Sequence, residues 1–297
     1  MTAGSHDETL AVLTTACAAV GLDPSGAKPI RLAENALWRL PGGIVARITR
    51  AGQHQPTERE LRLARWLSAQ GLPVVRPLPG IEAPATAAGR PVTFWEELPP
   101  HTNGTIPDLA TLIRQLHSLP RPDFPVGRLD PFVRIRDRID AAVTLSDTDR
   151  DWLRDRLADI QSAWASLPEG LPECLVHGDA WTGNVACPLA GGPALLMDLE
   201  RCSVGRPEWD LVSTAVKLTT TGTISKTEYE RFCTIYGHDV LNWPGYDTMR
   251  AARELRMTTY AAQHAATNPA WRPEAQHRLA CLQGHNGPRP WKWMGIV

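Results

Sequence analysis

Three features are missing from this 297-residue sequence, and each absence excludes a class of protein. No apolar run approaches the ~20 residues that a bilayer-spanning helix needs, so we expect no membrane insertion. The six cysteines form no Cys-x-x-Cys pair and lie near no histidine at zinc-ligand spacing, which argues against a zinc site. Because 31 Lys and Arg nearly balance 32 Asp and Glu, the sequence predicts no nucleic-acid partner.

The N-terminal stretch also lacks the pattern of a secretory signal. Residues 1–10 are polar and acidic, whereas a signal peptide has a basic start followed by an apolar segment. We therefore expect a cytoplasmic protein. With 43% hydrophobic and 21% charged residues, the chain has the composition of an ordinary globular protein, and its length favours two lobes.

Hydrophobic periodicity changes from mixed to helical along the chain. The first part predicts helices at 8–22 and 57–70 and strands at 30–32, 36–40, 43–48, 72–78 and 91–97. Thr57 and Glu60 have the spacing of a capping box for the second helix. After Pro99-Pro100, the pattern predicts helices at 107–119, 131–145, 147–167, 209–219, 226–236, 246–266 and 273–282. We predict an N-terminal lobe at 1–98, with a hinge at 94–98, and a C-terminal lobe at 99–297.

Two short apolar segments end in polar residues that a purely structural hairpin would not require. The run Leu175-Val176 leads into His177-Gly178-Asp179, and Asn184 follows five residues after the aspartate. A second run, 195–197, leads into Asp198. Phosphoryl transfer requires a carboxylate that orients the attacking hydroxyl and oxygen ligands that hold magnesium on nucleotide phosphates. The spacing matches that of a kinase catalytic loop.

These motifs resemble those of the aminoglycoside phosphotransferase and choline kinase superfamily, whose members are related to protein kinases. The segments LVHGDAWTGN and LLMDLERCSVGRPEWDLV carry the strongest similarity, and it extends through ENALWRLPGGIVARI, TERELRLARWLSAQGLPV, VTFWEEL and LATLIRQLHSL. The resemblance implies an α+β, bilobal protein-kinase-like fold, with an antiparallel N-terminal sheet and a mainly helical C-terminal lobe. It also implies an ATP-dependent small-molecule kinase that uses Mg²⁺, with GTP as an open alternative.

The resemblance implies a role for each polar residue of these motifs. Asp179 would be the catalytic base, and Asn184 and Asp198 would be the magnesium ligands. Three further residues would support the site. His177 would brace the backbone of the catalytic loop, and Glu200 would be an auxiliary acid. Asp210, in the segment Glu208-Trp209-Asp210-Leu211, would brace the same loop.

In the N-terminal lobe, the resemblance implies a nucleotide site that departs from the family pattern at one position. Arg47 stands where a lysine is usual, and Glu60 is its expected partner. Arginine keeps the charge and can bind phosphate with a forked geometry. No Gly-x-Gly-x-x-Gly loop is present, so Glu34 and Asn35 are the candidates for the phosphate-covering turn. The hinge contributes two further candidates for nucleotide contact, Trp95 and Glu97.

The acceptor is predicted from charge. Residues 201–297 contain twelve Lys and Arg against eight Asp and Glu, a net charge of +4, and 123–169 is only mildly acidic. A polycationic acceptor favours an acidic pocket, so we expect a neutral or anionic hydroxylated acceptor. Trp181 is a candidate for contact with the nucleotide or the substrate. Trp291 and Trp293 either hold the C-terminal segment in place or border the acceptor site.

Three functions remain open. The first is a kinase of a natural product or antibiotic, of the kind that confers resistance. The second is a primary-metabolite kinase acting on a sugar, an amino alcohol or homoserine. The third is a non-catalytic pseudokinase, which the intact Asp179, Asn184 and Asp198 argue against.

Overall fold

The computed structural model describes residues 6–32 and 35–295, and its first sheet contains three strands, at 36–40, 44–48 and 85–87, in which burial alternates. The strands are β1 Lys28–Leu32, β2 Ala36–Leu40, β3 Ile44–Ile48, β4 Ala85–Ala87 and β5 Arg90–Glu96. They form one antiparallel sheet in the order β1-β2-β3-β5-β4. A turn at Gly42 and Gly43, with φ of 80° and 74°, joins β2 to β3 as predicted, because glycine adopts left-handed conformations readily.

The two faces of β3 have different environments. Ala46 and Ile48 are buried against helix α1 (His6–Val20), together with Leu13 from that helix and Phe94 from β5. Because successive side chains point to opposite faces of a strand, Arg47 lies on the other side of the sheet. Helix α2 (His54–Ala69) packs on that side. The strand pattern thus directs a single cation away from the apolar core and toward α2.

The chain divides by its contacts into two units. Unit 1 comprises Met1–Asp108, Pro122–Val126 and Thr182–Cys202, and unit 2 comprises Leu109–Arg121, Gly127–Trp181 and Ser203–Val297. The remaining strands are β6 His101–Asn103, β7 Cys174–Val176, β8 Val185–Pro188, β9 Leu195–Leu196 and β10 Ser203–Gly205. In unit 1 they form a three-stranded sheet, β6-β8-β9, and in unit 2 the pair β10-β7. The predicted lobe boundary at residue 98 stays a prediction.

Unit 2 is mainly helical, which confirms the predicted α+β class. The helices that follow α2 are α3 Ile106–Ser118, α4 Ile135–Asp140, α5 Asp147–Ala165, α6 Glu208–Thr219, α7 Lys226–Tyr236, α8 Tyr246–Thr267 and α9 Arg272–Leu282. Helix α8 is central, since α4, α5, α6 and α9 all pack against it. Trp291 and Trp293 are buried beside α9, so they hold the C-terminal segment on this unit.

Three local predictions are wrong. Helix α2 begins at His54, because Pro56 suits the first turn of a helix, and Thr57 donates to the carbonyl of Gln53 instead of capping. The capping box is absent, since the Glu60 carboxylate binds Arg47.

The other two errors concern segments 72–78 and 131–145. The first makes only isolated bridges, at Val74 and Pro77, because its prolines lack the N–H that a strand needs. The second contains only the short helix α4, because Arg134 adopts a left-handed φ of 64° that prevents the helix from beginning earlier.

No helix within residues 6–32 and 35–295 is both long enough and apolar enough to cross a bilayer.

Candidate active site

The loop that carries His177, Gly178 and Asp179 is fixed to helix α6 through its backbone. Strand β7 ends at Val176, and the next two peptide N–H groups donate to one carboxylate, that of Asp210. The distances are 2.6 Å from His177 N to Oδ2 and 2.9 Å from Gly178 N to Oδ1. Trp209 Nε1 donates to the Gly178 carbonyl at 3.0 Å. The start of α6 therefore sets the conformation of residues 177–181, which we term the Asp179 loop.

Asp210 is buried at 1% exposure, and its charge is compensated by further donors. His117 Nε2 lies 3.0 Å from Oδ2, and His117 Nδ1 lies 2.8 Å from the hydroxyl of Tyr236. Burial raises the pKa of Asp210, but the hydrogen bond and charge of His117, together with the charge and N–H of His177, outweigh burial and lower it. Asp210 therefore acts on the loop as a buried carboxylate that stays ionised.

Asp179 combines a fixed backbone with an accessible carboxylate. Its N–H donates to His177 Nδ1 at 3.3 Å, while its side chain remains 40% exposed. The Arg253 guanidinium on α8 approaches this carboxylate, with 3.6 Å between Nη1 and Oδ1. Arg253 is itself positioned by Trp209, whose carbonyl accepts from Nη2 at 3.1 Å and whose ring lies 4.1 Å below the guanidinium carbon.

Trp181, at the end of the Asp179 loop, is exposed and lies near a cation. Its ring is 45% exposed, and Lys217 Nζ on α6 lies 5.6 Å from the ring centroid. Burial lowers the pKa of Lys217. Three residues of α6, Trp209, Asp210 and Lys217, thus contact the same loop.

In unit 1, Arg47 and Glu60 form a buried ion pair between β3 and α2. The guanidinium binds both carboxylate oxygens, and Nη1 lies 3.0 Å from Oε1. The side chains are only 13% and 3% exposed. Burial lowers the pKa of Arg47, but Glu60, Asp198 and Glu200 outweigh burial and raise it above its ordinary value. Glu200 lies beside the pair, since all three residues line one cavity.

The strand pair β8-β9 brings Asn184 and Asp198 together. Val185 pairs with Leu196, and the N–H of Met197 donates to the Asn184 carbonyl at 2.9 Å. Asn184 is buried at the end of a 3₁₀ turn, whereas Asp198 is exposed. Asp198 adopts a left-handed backbone, with φ of 55° and ψ of 63°. Such conformations are uncommon outside glycine and occur often at functional sites.

Beside the ion pair lies a small cavity that is open to solvent. Its lining includes Asn35, Arg47, Arg50 and Glu200. The Glu200 carbonyl also accepts from Arg59 at 3.4 Å. Glu34, the other residue of the predicted phosphate-covering turn, lies outside the described residues.

Of the two hinge candidates, Trp95 lies in β5, and Glu97 follows directly after this strand. Trp95 is buried, its ring centroid lies 5.5 Å from the Arg47 guanidinium carbon, and its Nε1 donates to Thr93 at 2.8 Å. Glu97 binds Arg39 at 2.5 Å, and its N–H donates to the Gly43 carbonyl at 2.7 Å. Contact of either residue with a nucleotide stays a prediction.

The donors at Asn184 and Asp198 suit magnesium better than a transition metal. Within the described ranges, no three His, Cys, Asp or Glu side chains gather in a group that could hold a metal. Mg²⁺, however, commonly takes only one or two protein oxygens and obtains the rest from phosphates and water. The Asn184 amide and the Asp198 carboxylate fit that requirement, and the Met197 N–H bond to the Asn184 carbonyl holds their two segments together.

The predicted site residues thus form two groups, each within one unit. Asp179, His177 and Asp210 belong to unit 2, and the members of the other group are Arg47, Glu60, Asn184, Asp198 and Glu200, in unit 1.

Sequence reasoning missed three basic residues of unit 2: His117, Lys217 and Arg253. Each lies on a helix among apolar residues, and a basic residue on an otherwise buried helical face is a signal for a specific partner. The partners themselves are far away in sequence, since His117 and Asp210 are separated by 93 positions.

Comparison with known proteins identifies relatives of this arrangement. Residues 27–252 match the model of the phosphotransferase enzyme family. No curated protein matches the sequence. A choline/ethanolamine kinase family protein from Mesorhizobium loti is 22% identical, with a TM-score of 0.61 and 94% coverage of each chain.

Two antibiotic kinases are also similar in structure. An aminoglycoside phosphotransferase from Streptomyces rimosus, solved also with ADP and streptomycin, is 20% identical, with a TM-score of 0.60 over 86% of this chain and 98% of that chain. Amicoumacin kinase in complex with AMP-PNP and Ca²⁺ is 14% identical, with a TM-score of 0.63 over 92% of this chain and 96% of that chain. These similarities confirm the predicted bilobal protein-kinase-like fold.

Proposed function

The chain belongs to the phosphotransferase enzyme family and is a small-molecule kinase, and from this premise we propose its reaction. We propose that it transfers the γ-phosphate of ATP to a hydroxyl of a natural product or antibiotic. Asp179 orients this hydroxyl and accepts its proton, while the bond between the acceptor oxygen and phosphorus forms and the bond to the β-phosphate oxygen breaks.

The observation that carries this proposal is the fixed backbone and accessible carboxylate of Asp179. The Asp210 carboxylate accepts two consecutive N–H groups of the Asp179 loop, so the loop needs little reorganisation before reaction. The Asp179 side chain is 40% exposed and can meet a substrate hydroxyl. The Arg253 guanidinium, with Nη1 3.6 Å from Asp179 Oδ1, places a cation beside the carboxylate.

The residues of unit 1 would bind the nucleotide. Arg47 is held by Glu60 and lines the open cavity, where the N–H groups not bound to Glu60 would donate to phosphate oxygens. Asn184 and Asp198 would hold Mg²⁺, and Asp198 is exposed for that purpose. Bound Mg²⁺ would neutralise charge that develops on the phosphate oxygens. Similar structures include complexes with ADP and AMP-PNP and others with GDP, so ATP is the proposed donor and GTP the alternative.

The acceptor is proposed to be neutral or anionic. The net charge of +4 over residues 201–297 and the cations Arg253 and Lys217 near the Asp179 loop both disfavour a polycation. The structural similarity to a choline/ethanolamine kinase family protein makes a primary-metabolite kinase the second candidate. An acceptor assay distinguishes the two.

ADP release with Mg²⁺ and ATP should be measured against sugars, nucleosides, non-cationic antibiotics, aminoglycosides, choline and homoserine. We expect turnover with at least one neutral or anionic compound of the antibiotic group. Asp179→Asn should lower kcat by about 100-fold or more and leave the Kd for ATP nearly unchanged. Asp159→Asn, an exposed change on α5, is the matched control and should keep full activity.

A second pair of measurements tests the metal assignment. Asp198→Asn should raise the Mg²⁺ concentration needed for half-maximal activity, because the site loses a charged ligand. Repeating the assay with GTP decides the donor. Undiminished turnover by Asp179→Asn would contradict the role of Asp179 as the base. Turnover restricted to aminoglycosides would contradict the proposed class of acceptor.

A further inference from the structure

Trp181 and Lys217 form a cation–aromatic contact immediately beside the proposed base. Lys217 Nζ lies 5.6 Å from the centroid of the Trp181 ring, within the ~6 Å range of a cation–π interaction. Trp181 is the second residue after Asp179, so the Cα atoms of the two residues lie no more than about 7 Å apart. The ring is 45% exposed, so a substrate held at Asp179 can reach it.

Helix α6 positions this contact. Asp210 and Lys217 are seven residues apart, which is two turns, so both lie on the same face of α6. Asp210 accepts the N–H groups of His177 and Gly178, and Lys217 lies over the ring of Trp181. One helical face thus fixes both the backbone and the aromatic side chain of the Asp179 loop.

Two cations lie beside the Asp179 loop in unit 2. Arg253 lies 3.6 Å from Asp179, and Lys217 covers part of Trp181. Asp210 is buried and accepts hydrogen bonds from His117, His177 and Gly178, so its negative charge is compensated. An acceptor whose hydroxyl approaches Asp179 therefore meets positive charge and an aromatic surface.

We propose that Lys217 and Trp181 determine acceptor specificity: Lys217 occupies the place over the Trp181 ring where a substrate cation would bind. The enzyme then rejects acceptors with an ammonium group near the reacting hydroxyl. It accepts neutral or anionic alcohols whose apolar part packs on the exposed part of the ring. This inference rests on the proposed kinase function and assigns its acceptor selectivity to two residues.

The local charge can be measured without knowing the acceptor. Iodide and caesium quench tryptophan fluorescence, and the difference between wild type and Trp181→Phe isolates the emission of Trp181. After normalisation to free N-acetyltryptophanamide, iodide should quench Trp181 about twofold more strongly than caesium. Lys217→Met should abolish this preference, while neutral acrylamide reports whether ring exposure has changed. Equal quenching by both ions in wild type would overturn the proposal.

Selectivity itself is tested with two acceptors of one shape. Choline and 3,3-dimethylbutan-1-ol differ by a single positive charge, so their ratio of kcat/KM isolates the charge preference. Wild type should prefer the neutral alcohol, and Lys217→Glu should shift the ratio toward choline by about tenfold, since a repulsive charge becomes attractive. Lys226→Glu, an exposed change on α7, is the matched control and should leave the ratio unchanged.

The outcomes separate this inference from the proposed function. A wild-type enzyme that prefers choline overturns the specificity assignment and leaves the kinase function intact. An enzyme that phosphorylates no compound overturns the proposed function, and the quenching measurement still decides the charge at Trp181.

Discussion

Arg253 Nη1 and Asp179 Oδ1 lie 3.6 Å apart, and this pairing connects helix α8 to the loop that carries the proposed base. Arg253 is 6% exposed and also donates to the Trp209 carbonyl at 3.1 Å. The indole of Trp209 in turn donates to Gly178. The cation is therefore part of the same network that holds the Asp179 loop.

Arg253→Met should impair both catalysis and stability. Loss of the cation removes the favourable field at Asp179, so kcat should fall about tenfold. The Trp209 carbonyl loses its donor, so the free energy of unfolding should fall by about 1–3 kcal/mol in urea titrations. Arg253→Lys keeps the charge and should retain more activity than the methionine variant. Wild-type kcat in Arg253→Met would show that the pairing is only structural.

Much of the fold was predictable because its signals are local. The alternation of Ala46, Arg47 and Ile48 predicts a strand with one cationic position, and Gly42 and Gly43 predict its turn. The errors arise where one backbone detail overrides a composition pattern. Proline in 72–78 removes strand donors, and the left-handed Arg134 delays helix α4.

The candidate site was predictable only in part for a different reason. Motifs identify Asp179, Asn184 and Asp198, since these residues follow short apolar runs at fixed spacing. Arg253 and Lys217 have no such motif, because their roles depend on how α6 and α8 pack against the Asp179 loop. Tertiary contacts of this kind produce no pattern in the local sequence. The one local signal is a basic residue on an otherwise buried helical face.

Asp210→Asn should have a pH-dependent cost. The folded-state pKa of Asp210 is lowered, so its carboxylate contributes stability above its unfolded pKa of about 3.9 and loses this contribution as the pH falls through the folded value. Urea unfolding at pH 6 should show a loss of about 3 kcal/mol for the variant. The difference from wild type should shrink steadily below about pH 4.

Asp159→Asn is the control for this experiment, because its exposed carboxylate should give a small difference at every pH. A constant difference between wild type and Asp210→Asn from pH 6 to pH 3 would be inconsistent with an ionised, buried Asp210.

Arg47 and Glu60 allow stability to be separated from nucleotide binding. Arg47→Met leaves the Glu60 carboxylate buried without its partner, so the free energy of unfolding should fall by about 3–5 kcal/mol. The double variant Arg47→Met with Glu60→Leu removes both charges and should recover most of that loss. Its KM for ATP should remain at least about tenfold above wild type, because the proposed phosphate contact is still missing. Recovery of both stability and KM would argue against contact between Arg47 and the nucleotide.

The C-terminal segment is tied to α8 by a buried carboxylate, and this contact yields the last prediction. Glu254, 1% exposed, accepts from Arg289 at 2.7 and 2.8 Å and from the Thr220 hydroxyl at 2.7 Å. The Trp291 N–H donates to the Thr220 carbonyl at 2.7 Å, beside the end of α6. Arg289→Gln should lower the free energy of unfolding by about 1–3 kcal/mol, less than for a fully buried pair, because Arg289 is one-third exposed and Thr220 still binds Glu254.

Hydrogen exchange distinguishes a local from a global effect of this substitution. The Trp291 amide should exchange faster in Arg289→Gln by a larger factor than the amides of β3, because the segment opens without unfolding the sheet. Arg231→Gln, an exposed change on α7, should alter neither rate. Equal acceleration at Trp291 and β3 would mean that the contact stabilises the whole chain. Faster exchange at Trp291 alone would identify Glu254 and Arg289 as the residues that hold the C-terminal segment in place.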